Sequence, residues 1–402
     1  MDSGFCLIET DQMFSKENAQ NFLNKLGGTI KISKVFHELK NINDITQQLA
    51  KFLIENYSQN QKIIFGLNTY ISNNSKISLK NLLKDLKKTL QKENFNARFL
   101  NHGPQNIKIP IFFREKLNTN KASELNIIQI KDKIYLSETL ATQDIDAYSK
   151  RDFDKPFRDP KTGMLPPKLA QIMINLGLEN FSAKTIIDPF CGSGTVLMEA
   201  LLMGKDIIGS DLNEIQVNGA LLNVNWLSCK DAPPEHLNKP PEHLNYQKIF
   251  QSDARNFNLD KQITKQSIIV TEGYLGPPRL KLPELFEIQQ SNNQLLLLHK
   301  NFLQKCQQLN MPKIILNLPA YRCKDAPAEH LNKPAEHLYN QKYILLKEFS
   351  EMIRKIGYEI DPPFSNTFLQ KYPFLFLSKR NTLIYDRNDQ VIAREILTLR
   401  KL

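Results

Sequence analysis

The 402-residue sequence lacks long hydrophobic runs and has only five cysteines. No stretch approaches the roughly 18 consecutive apolar residues that a membrane-spanning helix requires. The first residues also lack the basic flank and apolar segment that are typical of a secretion signal. We therefore expect a cytoplasmic protein with no membrane partner. Because the cysteines are odd in number and widely spread, we expect reduced thiols rather than a disulfide framework.

Apolar residues make up 41% of the chain, which is enough for an ordinary buried core, and the length favours two or three domains. Lysine and arginine number 53 against 42 acidic residues, so the formal net charge is +11. An excess of this sign favours an anionic partner such as a nucleic acid. It is equally typical of a lysine-rich, solvated surface, and the charge alone does not choose between the two.

A repeated segment contains four of the seven histidines and two of the five cysteines. Residues 229–244 return nearly unchanged at 323–338, and each copy is itself a tandem of Pro-x-Glu-His-Leu. Prolines separate the cysteines and histidines, whereas a small metal ion requires tight Cys-x-x-Cys or His-x-x-x-His spacing. We predict no metal site and interpret residues 229–245 and 323–339 as insertions in two surface loops, where extra length costs little entropy.

Residues 1–145 alternate short apolar runs with amphipathic helical patterns, which predicts a small α+β region. Ser78 is placed to cap a helix with leucines on one face and lysines on the other. That basic face is suited either to RNA phosphates or to solvent. The predicted strands are residues 5–8, 29–36, 62–67 and 97–100.

Residues 151–159 are charged and contain proline, which predicts a loop rather than a packed element, so we place a domain boundary before residue 146. Residues 146–402 then alternate apolar runs with helical patterns, which favours a parallel sheet covered on both faces. We expect residues 373–377 and 391–399 to form an antiparallel pair. The other predicted strands are residues 185–187, 206–210, 248–252, 267–271 and 313–318.

A glycine-rich turn follows the first of these strands. The strand ends in Asp188, the turn contains Gly192 and Gly194, and the next strand ends about twenty residues later in Asp211. Glycines allow a close backbone approach to a ligand, and an acid at this distance is placed to bind ribose hydroxyls. The third glycine of the dinucleotide fingerprint is missing. An adenosine-containing amino-acid donor therefore fits better than a dinucleotide.

The run Asp-Pro-Phe-Cys-Gly-Ser-Gly-Thr at 188–195, together with residues 163–176, resembles the THUMP-type tRNA guanine-N2 methyltransferases. The resemblance covers residues 140–400 well and the N-terminal part in layout only. It implies a Rossmann-like class I domain with a seven-stranded, mostly parallel sheet, preceded by an RNA-binding region at 1–145. It also implies S-adenosyl-L-methionine as cofactor and tRNA as partner. The cofactor-binding residues that it implies are Asp188, Phe190, Gly192, Gly194, Asp211, Asp253 and Ala254.

Enzymes that methylate exocyclic amines carry an Asn/Asp-Pro-Pro-Tyr/Phe motif after the fourth strand. Here the corresponding residues are Glu272, Gly273 and Tyr274. Glu272 is suited to accept from the amine and Tyr274 to stack on a flipped base, so both are predicted as catalytic residues. Glycine in place of proline predicts a looser loop. The alternative is that Glu272 merely caps the loop and that the activity is lost.

Three functions remain open from the sequence. The first is methylation of an exocyclic amine in RNA, with guanine N2 in tRNA as the target that the resemblance implies. The second is a DNA amino-methyltransferase acting on adenine N6 or cytosine N4. The third is a non-catalytic relative that binds RNA. Neither the modified position nor a protein partner is predicted.

Overall fold

The computed structural model describes residues 4–12, 14–71, 78–103, 105–130, 132–159, 164–227, 247–322, 343–371, 375, 377–387 and 390–402. Both predicted insertions, 229–245 and 323–339, lie outside the described residues. The chain divides into two compact units, residues 1–146 and 147–402. Each unit has its own sheet and its own hydrophobic core.

The first unit is an α+β structure with a five-stranded sheet in the order β1-β5-β4-β2-β3. Strand β2 is parallel to β3 and β4, and β5 is antiparallel to β4 and β1. The strands are β1 (Lys31–Leu39), β2 (Ile63–Tyr70), β3 (Ala97–Phe99), β4 (Ser123–Ile130) and β5 (Lys133–Thr142). The helices are α1 (Lys16–Leu23), α2 (Ile45–Asn56), α3 (Leu79–Lys92) and α4 (Ile109–Arg114), with a 3₁₀ turn at Ile42–Asp44.

Helix α3 begins where the sequence predicts. The hydroxyl of Ser78 accepts a hydrogen bond from the backbone N–H of Asn81 at 3.4 Å. Its leucines are buried with α2 against one face of the sheet, because the apolar stripe recurs at helical spacing. The strand predicted at residues 5–8 is wrong, since these residues belong to no helix or strand. Their apolar alternation is too short to distinguish a strand from an extended segment.

Strands β4 and β5 were missed because polar residues interrupt their apolar pattern. Glu124 and Asn126 are buried in β4. The side-chain amide of Asn68 donates to both of them at 2.9 Å, and the hydroxyl of Thr139 donates to Glu124 at 2.9 Å. Buried polar groups are tolerated when they are hydrogen-bonded, so these strands stay in the sheet interior despite their composition.

The second unit has a Rossmann-like sheet in the order β12-β14-β10-β9-β6-β7-β8. Strands β10, β9, β6, β7 and β8 are mutually parallel, whereas β14 is antiparallel to both β10 and β12. The predicted fold class, a mostly parallel α/β sheet, is confirmed. The strands are β6 (Thr185–Asp188), β7 (Asp206–Asp211), β8 (Gln247–Gln251), β9 (Ser267–Glu272), β10 (Lys313–Arg322), β12 (Tyr358–Ile360) and β14 (Ala393–Lys401).

Two short strands lie off this path of seven and pair with strands inside it. Strand β11 (Tyr343–Leu345) pairs with β10, and β13 (Leu383–Tyr385) pairs with β14. The strand predicted at 373–377 falls partly outside the described residues, and its described members, Leu375 and Leu377, are in no strand. Besides β10 and β12, the last strand pairs antiparallel with Leu383–Tyr385, a run too short to be recognised from its composition.

Helices cover both faces of the second sheet, as predicted. One core contains residues of α6, α7 and α8, and the other contains residues of α10 and α11. No helix in the described part of the chain is long and apolar enough to span a membrane. The helices are α5 (Ile145–Ser149), α6 (Pro167–Leu178), α7 (Thr195–Leu202), α8 (Glu214–Leu227), α9 (Lys261–Lys265), α10 (Leu285–Gln308), α11 (Phe349–Ile356) and α12 (Asn366–Lys371).

The charged segment at 151–159 is a loop, as predicted, only from residue 155 onward, and its side chains Arg151 and Lys155 are buried. A π-helical turn at Lys150–Asp154 follows α5, and Arg151 is only 1% exposed. Its Nε donates to Oε1 of buried Glu199 at 2.6 Å, and Gln171 donates to the other carboxylate oxygen at 2.8 Å. A run of charges normally indicates a solvated surface, but here an ion pair with further hydrogen bonds makes burial possible.

Candidate donor and acceptor site

Three acidic residues end three neighbouring parallel strands. Asp188 ends β6, Asp211 ends β7 and Glu272 ends β9, with β6 lying between the other two strands. Because the carboxyl ends of parallel strands lie at the same edge of a sheet, this edge is where an open α/β sheet binds ligands. The sheet therefore brings together the predicted donor and acceptor residues.

Asp211 fixes the glycine-rich loop. Its Oδ2 accepts from the backbone N–H of Gly192 at 3.0 Å, and its Oδ1 accepts from that of Asn213 at 2.9 Å. The carboxylate is partly exposed, and each oxygen keeps a further lone pair for a ligand hydroxyl. Leu212 follows in the adjoining loop and Ile215 lies in the first turn of α8, and both side chains are 66% exposed.

The two loop glycines serve different purposes. Both have positive φ, 49° at Gly192 and 80° at Gly194, a region that favours glycine. A Cβ at Gly194 would lie 3.0 Å from the Cβ of Ala220 on α8, so this position is needed for packing. A Cβ at Gly192 would meet nothing closer than Gln216 Oε1 at 4.0 Å. Gly192 thus leaves open space beside Asp211.

Asp188 lies beneath the loop rather than in the open cleft. It is 2% exposed, and its Oδ1 accepts from the hydroxyl of Thr271 at 2.6 Å and from the N–H of Phe190 at 3.2 Å. Burial raises the pKa of Asp188 to about 7, and the nearby charges of Asp211 and Glu272 act in the same direction. The structure thus gives Asp188 a role in joining β6, β9 and the loop.

The predicted adenine-binding residues follow β8. Ala254 is buried, and Asp253 forms an ion pair with Arg255, whose Nε lies 2.9 Å from each carboxylate oxygen. The hydrogen bonds from Arg255 lower the pKa of Asp253. An adenine amine would share this carboxylate with Arg255, which the sequence analysis did not single out although it lies two residues away.

Phe190 packs against α10. Its ring meets that of Phe302 edge-on, with 5.2 Å between centroids, and lies 6.4 Å from that of buried His299. The His299 ring donates from Nε2 to the carbonyl oxygen of Tyr274 at 3.3 Å, and burial lowers its pKa to about 4. His299 is therefore a neutral link between the donor loop and the acceptor motif.

Gly273 is packed, contrary to the expected loose loop. A Cβ there would lie 2.5 Å from Cε1 of His299 and 2.9 Å from Cδ1 of Leu316. Glycine is required because α10 approaches the motif so closely. Tyr274 is 50% exposed, which leaves its ring available to a flat ligand.

Glu272 has a partner that the sequence did not indicate. Its Oε1 accepts from Nε of Arg394 on β14, and the Glu272 side chain remains 19% exposed. Arg394 also donates from Nη1 to Oε1 of Gln390 at 2.6 Å. The two members of the pair are 122 positions apart, so no local pattern could reveal them.

Residues 151–159, called the covering segment, precede the glycine-rich motif in the chain and pack over the donor loop. The Nζ of Lys155 donates to Oγ1 of Thr195 at 3.0 Å, and burial lowers the pKa of this lysine. Asn223 on α8 bonds both backbone groups of Phe157 at 2.9 Å and also donates to the carbonyl of Ser193 at 2.8 Å. The segment and the donor loop are thus held by one side chain.

Residues 156–272 match the family model described as "UPF0020: RMKL-like, methyltransferase domain". This stretch of the second unit is therefore similar to a methyltransferase domain. The match starts within the covering segment and ends at Glu272, so it includes the donor loop and all three acidic strand ends. The described residues contain no cluster of His, Cys, Asp or Glu able to hold a metal ion.

Curated relatives of the methyltransferase domain carry the name tRNA (guanine(10)-N2)-dimethyltransferase. That of Methanothermobacter thermautotrophicus is 31% identical over 151 residues, which are 37% of this chain and 38% of the relative. That of Methanocaldococcus jannaschii is 27% identical over 175 residues, which are 43% and 46%. The chain thus spans less than half the length of these relatives. The predicted resemblance to tRNA guanine-N2 methyltransferases is confirmed for this domain.

The crystal structure of TrmN from Thermus thermophilus aligns with 98% of this chain and 88% of its own, at 12% identity and a TM-score of 0.46. At that score the alignment adds nothing to the strand order already given.

The family match confirms the predicted cofactor, S-adenosyl-L-methionine, and the residues present fit it. The space beside Gly192 admits a ligand close to the backbone, and Asp211 presents carboxylate oxygens to it. The exposed side chains of Leu212 and Ile215 would supply apolar surface to an adenine bound there.

Proposed function

We propose that this chain methylates an exocyclic amine of a nucleobase in RNA, with guanine N2 in tRNA as the target. The observation that carries the proposal is the position of Glu272 and Tyr274. Both follow β9, which lies directly beside β6 and its donor loop. An amine that contacts Glu272 would thus be held next to the methyl donor.

S-adenosyl-L-methionine supplies a methyl group on a sulfonium, which the amine nitrogen attacks as the carbon–sulfur bond breaks. The protein must hold the base, orient the amine and accept its hydrogens. The exposed ring of Tyr274 offers a stacking surface worth on the order of 1–3 kcal/mol per base. Glu272, partly exposed, accepts a hydrogen of the amine and takes up the proton that leaves the methylated nitrogen.

Two observations support RNA as the substrate. The relatives are named for tRNA and guanine N2, and the net charge of +11 suits a polyanion. The first unit, an α+β structure with the lysine-rich helix α3, would then bind the RNA. Its role in RNA binding and the cytoplasmic location are parts of this proposal.

The proposal is tested by incubating full-length protein with labelled S-adenosyl-L-methionine and either unmodified tRNA or duplex DNA. Nucleosides from the digested product are then identified by mass spectrometry. We expect N2-methylated guanosine from tRNA and no label in DNA. Asp211→Ala should abolish donor binding, whereas Glu272→Ala should keep donor binding and lose transfer.

The other two functions predict different results. Label in adenine or cytosine of DNA would identify a DNA amino-methyltransferase. Donor and RNA binding without any transfer would identify the non-catalytic relative, and either result would overturn the proposal.

A further inference from the structure

Arg394 contacts the acceptor carboxylate from a strand that does not neighbour β9. Strand β10 lies between β9 and β14, and the Arg394 side chain reaches from β14 to Glu272 at the end of β9. Its own side chain is 6% exposed. A buried guanidinium that donates to a partly exposed carboxylate is placed to hold it rather than to bind solvent.

The backbone of Arg394 is fixed on both sides. It pairs with Pro319 of β10 and with Tyr385 of β13. Gln390 accepts from a second nitrogen of the guanidinium, which limits its rotation. Arginine has a planar, always charged head whose donors have fixed directions, so this arrangement fixes the position of the carboxylate as well.

Glu272 needs such a restraint. Glutamate is one methylene longer than the aspartate of the related motif, and its extra torsion would let the carboxylate move relative to the amine. Arg394 contacts Oε1 alone, and Oε2 makes no hydrogen bond to any described residue. One oxygen is thus anchored while the other stays available.

The charges around Glu272 also favour its contact with Arg394. The carboxylates of Asp188 and Glu272 lie close enough to repel each other. The guanidinium of Arg394 supplies a positive charge beside this pair, so its contact with Glu272 offsets the repulsion.

We propose that Arg394 is a positioning residue for methyl transfer, which anchors Oε1 of Glu272 so that Oε2 accepts from the exocyclic amine. This inference rests on the proposed function. It assigns a role in the reaction to the antiparallel strand β14, whose sequence carries no recognisable motif.

The test measures kcat and KM for tRNA, donor Kd and Tm in the full-length protein. Arg394→Gln should lower kcat about 100-fold, the loss expected for a misplacement of roughly 1 Å, with donor Kd unchanged within about twofold. Arg394→Lys keeps the charge and should recover about tenfold of that loss. The matched control is Arg400→Gln on the same strand, whose exposed side chain pairs with Glu359; its kcat should stay unchanged.

A second variant covers the case in which Arg394→Gln fails to fold. Gln390→Ala removes only the second partner of the guanidinium and should lower kcat about fivefold at unchanged Tm, the effect of losing one hydrogen bond. In a Glu272→Gln background, Arg394→Gln should cost little more, because both changes remove the same contact.

Equal kcat for Arg394→Gln and Arg400→Gln would overturn the inference while leaving the proposed function intact. So would equal kcat for Arg394→Lys and Arg394→Gln, since the charge would then be irrelevant. A wild type that transfers no methyl group would overturn the proposed function and this inference together.

Discussion

Asp188 combines two properties that a single substitution can separate. Asp188→Asn keeps an Oδ1 acceptor for Thr271 and Phe190 but removes the titrating charge. In the wild type the pKa rises from 3.8 to about 7 on folding, so the folded chain holds a proton that the unfolded chain has lost between these values. Stability therefore falls as pH rises from about 4 to 7, by up to about 4 kcal/mol.

We expect Asp188→Asn to lack this decline and to exceed the wild type in stability at pH 8, as measured by urea unfolding at pH 5 and pH 8. If the stability of wild type and variant changes equally between the two pH values, the carboxyl is not a buried titrating group. Donor affinity measured on the same samples then reports whether the charge also contributes to binding.

His299 titrates with the opposite sign. Its pKa falls from 6.5 to about 4 on folding because the ring is buried. The unfolded chain thus takes up the proton first, and stability declines as pH falls from about 6.5 to 4, by about 3 kcal/mol. His299→Gln should remove this part of the acid sensitivity. We would measure the unfolding free energies of variant and wild type from pH 7 to pH 4.5. Their difference isolates the contribution of His299 from that of Asp188, and a difference that stays constant with pH would contradict the lowered pKa of His299.

The predicted site residues that the structure brings together in one local unit are those with a fixed spacing along the chain. Asp188, the two loop glycines and Asp211 fall within one strand–turn–helix–strand unit, where distance along the chain dictates position. Arg394 and His299 come from separate elements, and only the pairing of strands and helices brings them to the site. The position of such residues beside the site can be recognised only in the folded chain.

At the level of the elements, helix α8 holds the segment that covers the donor loop. Gly219 leaves room for Phe157, whose ring would lie 2.1 Å from a Cβ at that position. Gly219→Ala should displace Phe157 and weaken its bonds to Asn223, which also holds Ser193. We expect a donor Kd raised about tenfold or more, measured by calorimetry.

Gly177→Ala on α6 is the matched control. A Cβ there would also meet an apolar side chain, Ile268 at 2.5 Å, but this contact lies in the core away from the covering segment. It should lower Tm without changing donor Kd. Equal donor affinities for the two variants would show that the covering segment does not contribute to the donor site.

The covering segment is also where the interpretation of the sequence went wrong. Charges and a proline at 151–159 predicted a loop rather than a packed element, yet Arg151 and Lys155 are buried. The composition of a segment shows that burying its charges would be costly, but it does not show whether a distant partner offsets that cost. Here the partner of Arg151 is Glu199, 48 positions away. The periodic elements, by contrast, were predictable because an apolar stripe needs no partner to be recognised.

At the scale of the whole molecule, the sequence predicted the alternation of strands and helices in the second unit. It did not predict the polar strands β4 and β5 of the first unit. The alternation of strands and helices after residue 146 is enough to predict a parallel sheet, since that connection demands a crossover helix. Strands β4 and β5 of the first unit cannot be predicted from an apolar pattern, because hydrogen bonds between buried polar side chains help to stabilise them.

The predicted insertions offer a test at this scale. Residues 230–243 fall between the end of α8 and the start of β8, and their deletion should change Tm by no more than about 2 °C and leave donor Kd unaltered, because loop length has a small entropic cost. Calorimetry and thermal melting of the deletion variant provide the measurement. Insoluble protein or lost donor binding would mean that these residues belong to the fold.

Strand β14 follows all the other described strands in the chain, yet it lies inside the sheet between β10 and β12. During synthesis on the ribosome, the donor loop and Glu272 therefore emerge well before their sheet can close. Until residues 393–401 arrive, β10 presents an unpaired, strongly apolar edge of the kind that promotes aggregation. The same strand carries Arg394. When β14 pairs with β10, the unpaired edge of β10 is covered and Arg394 reaches Glu272 in the same step.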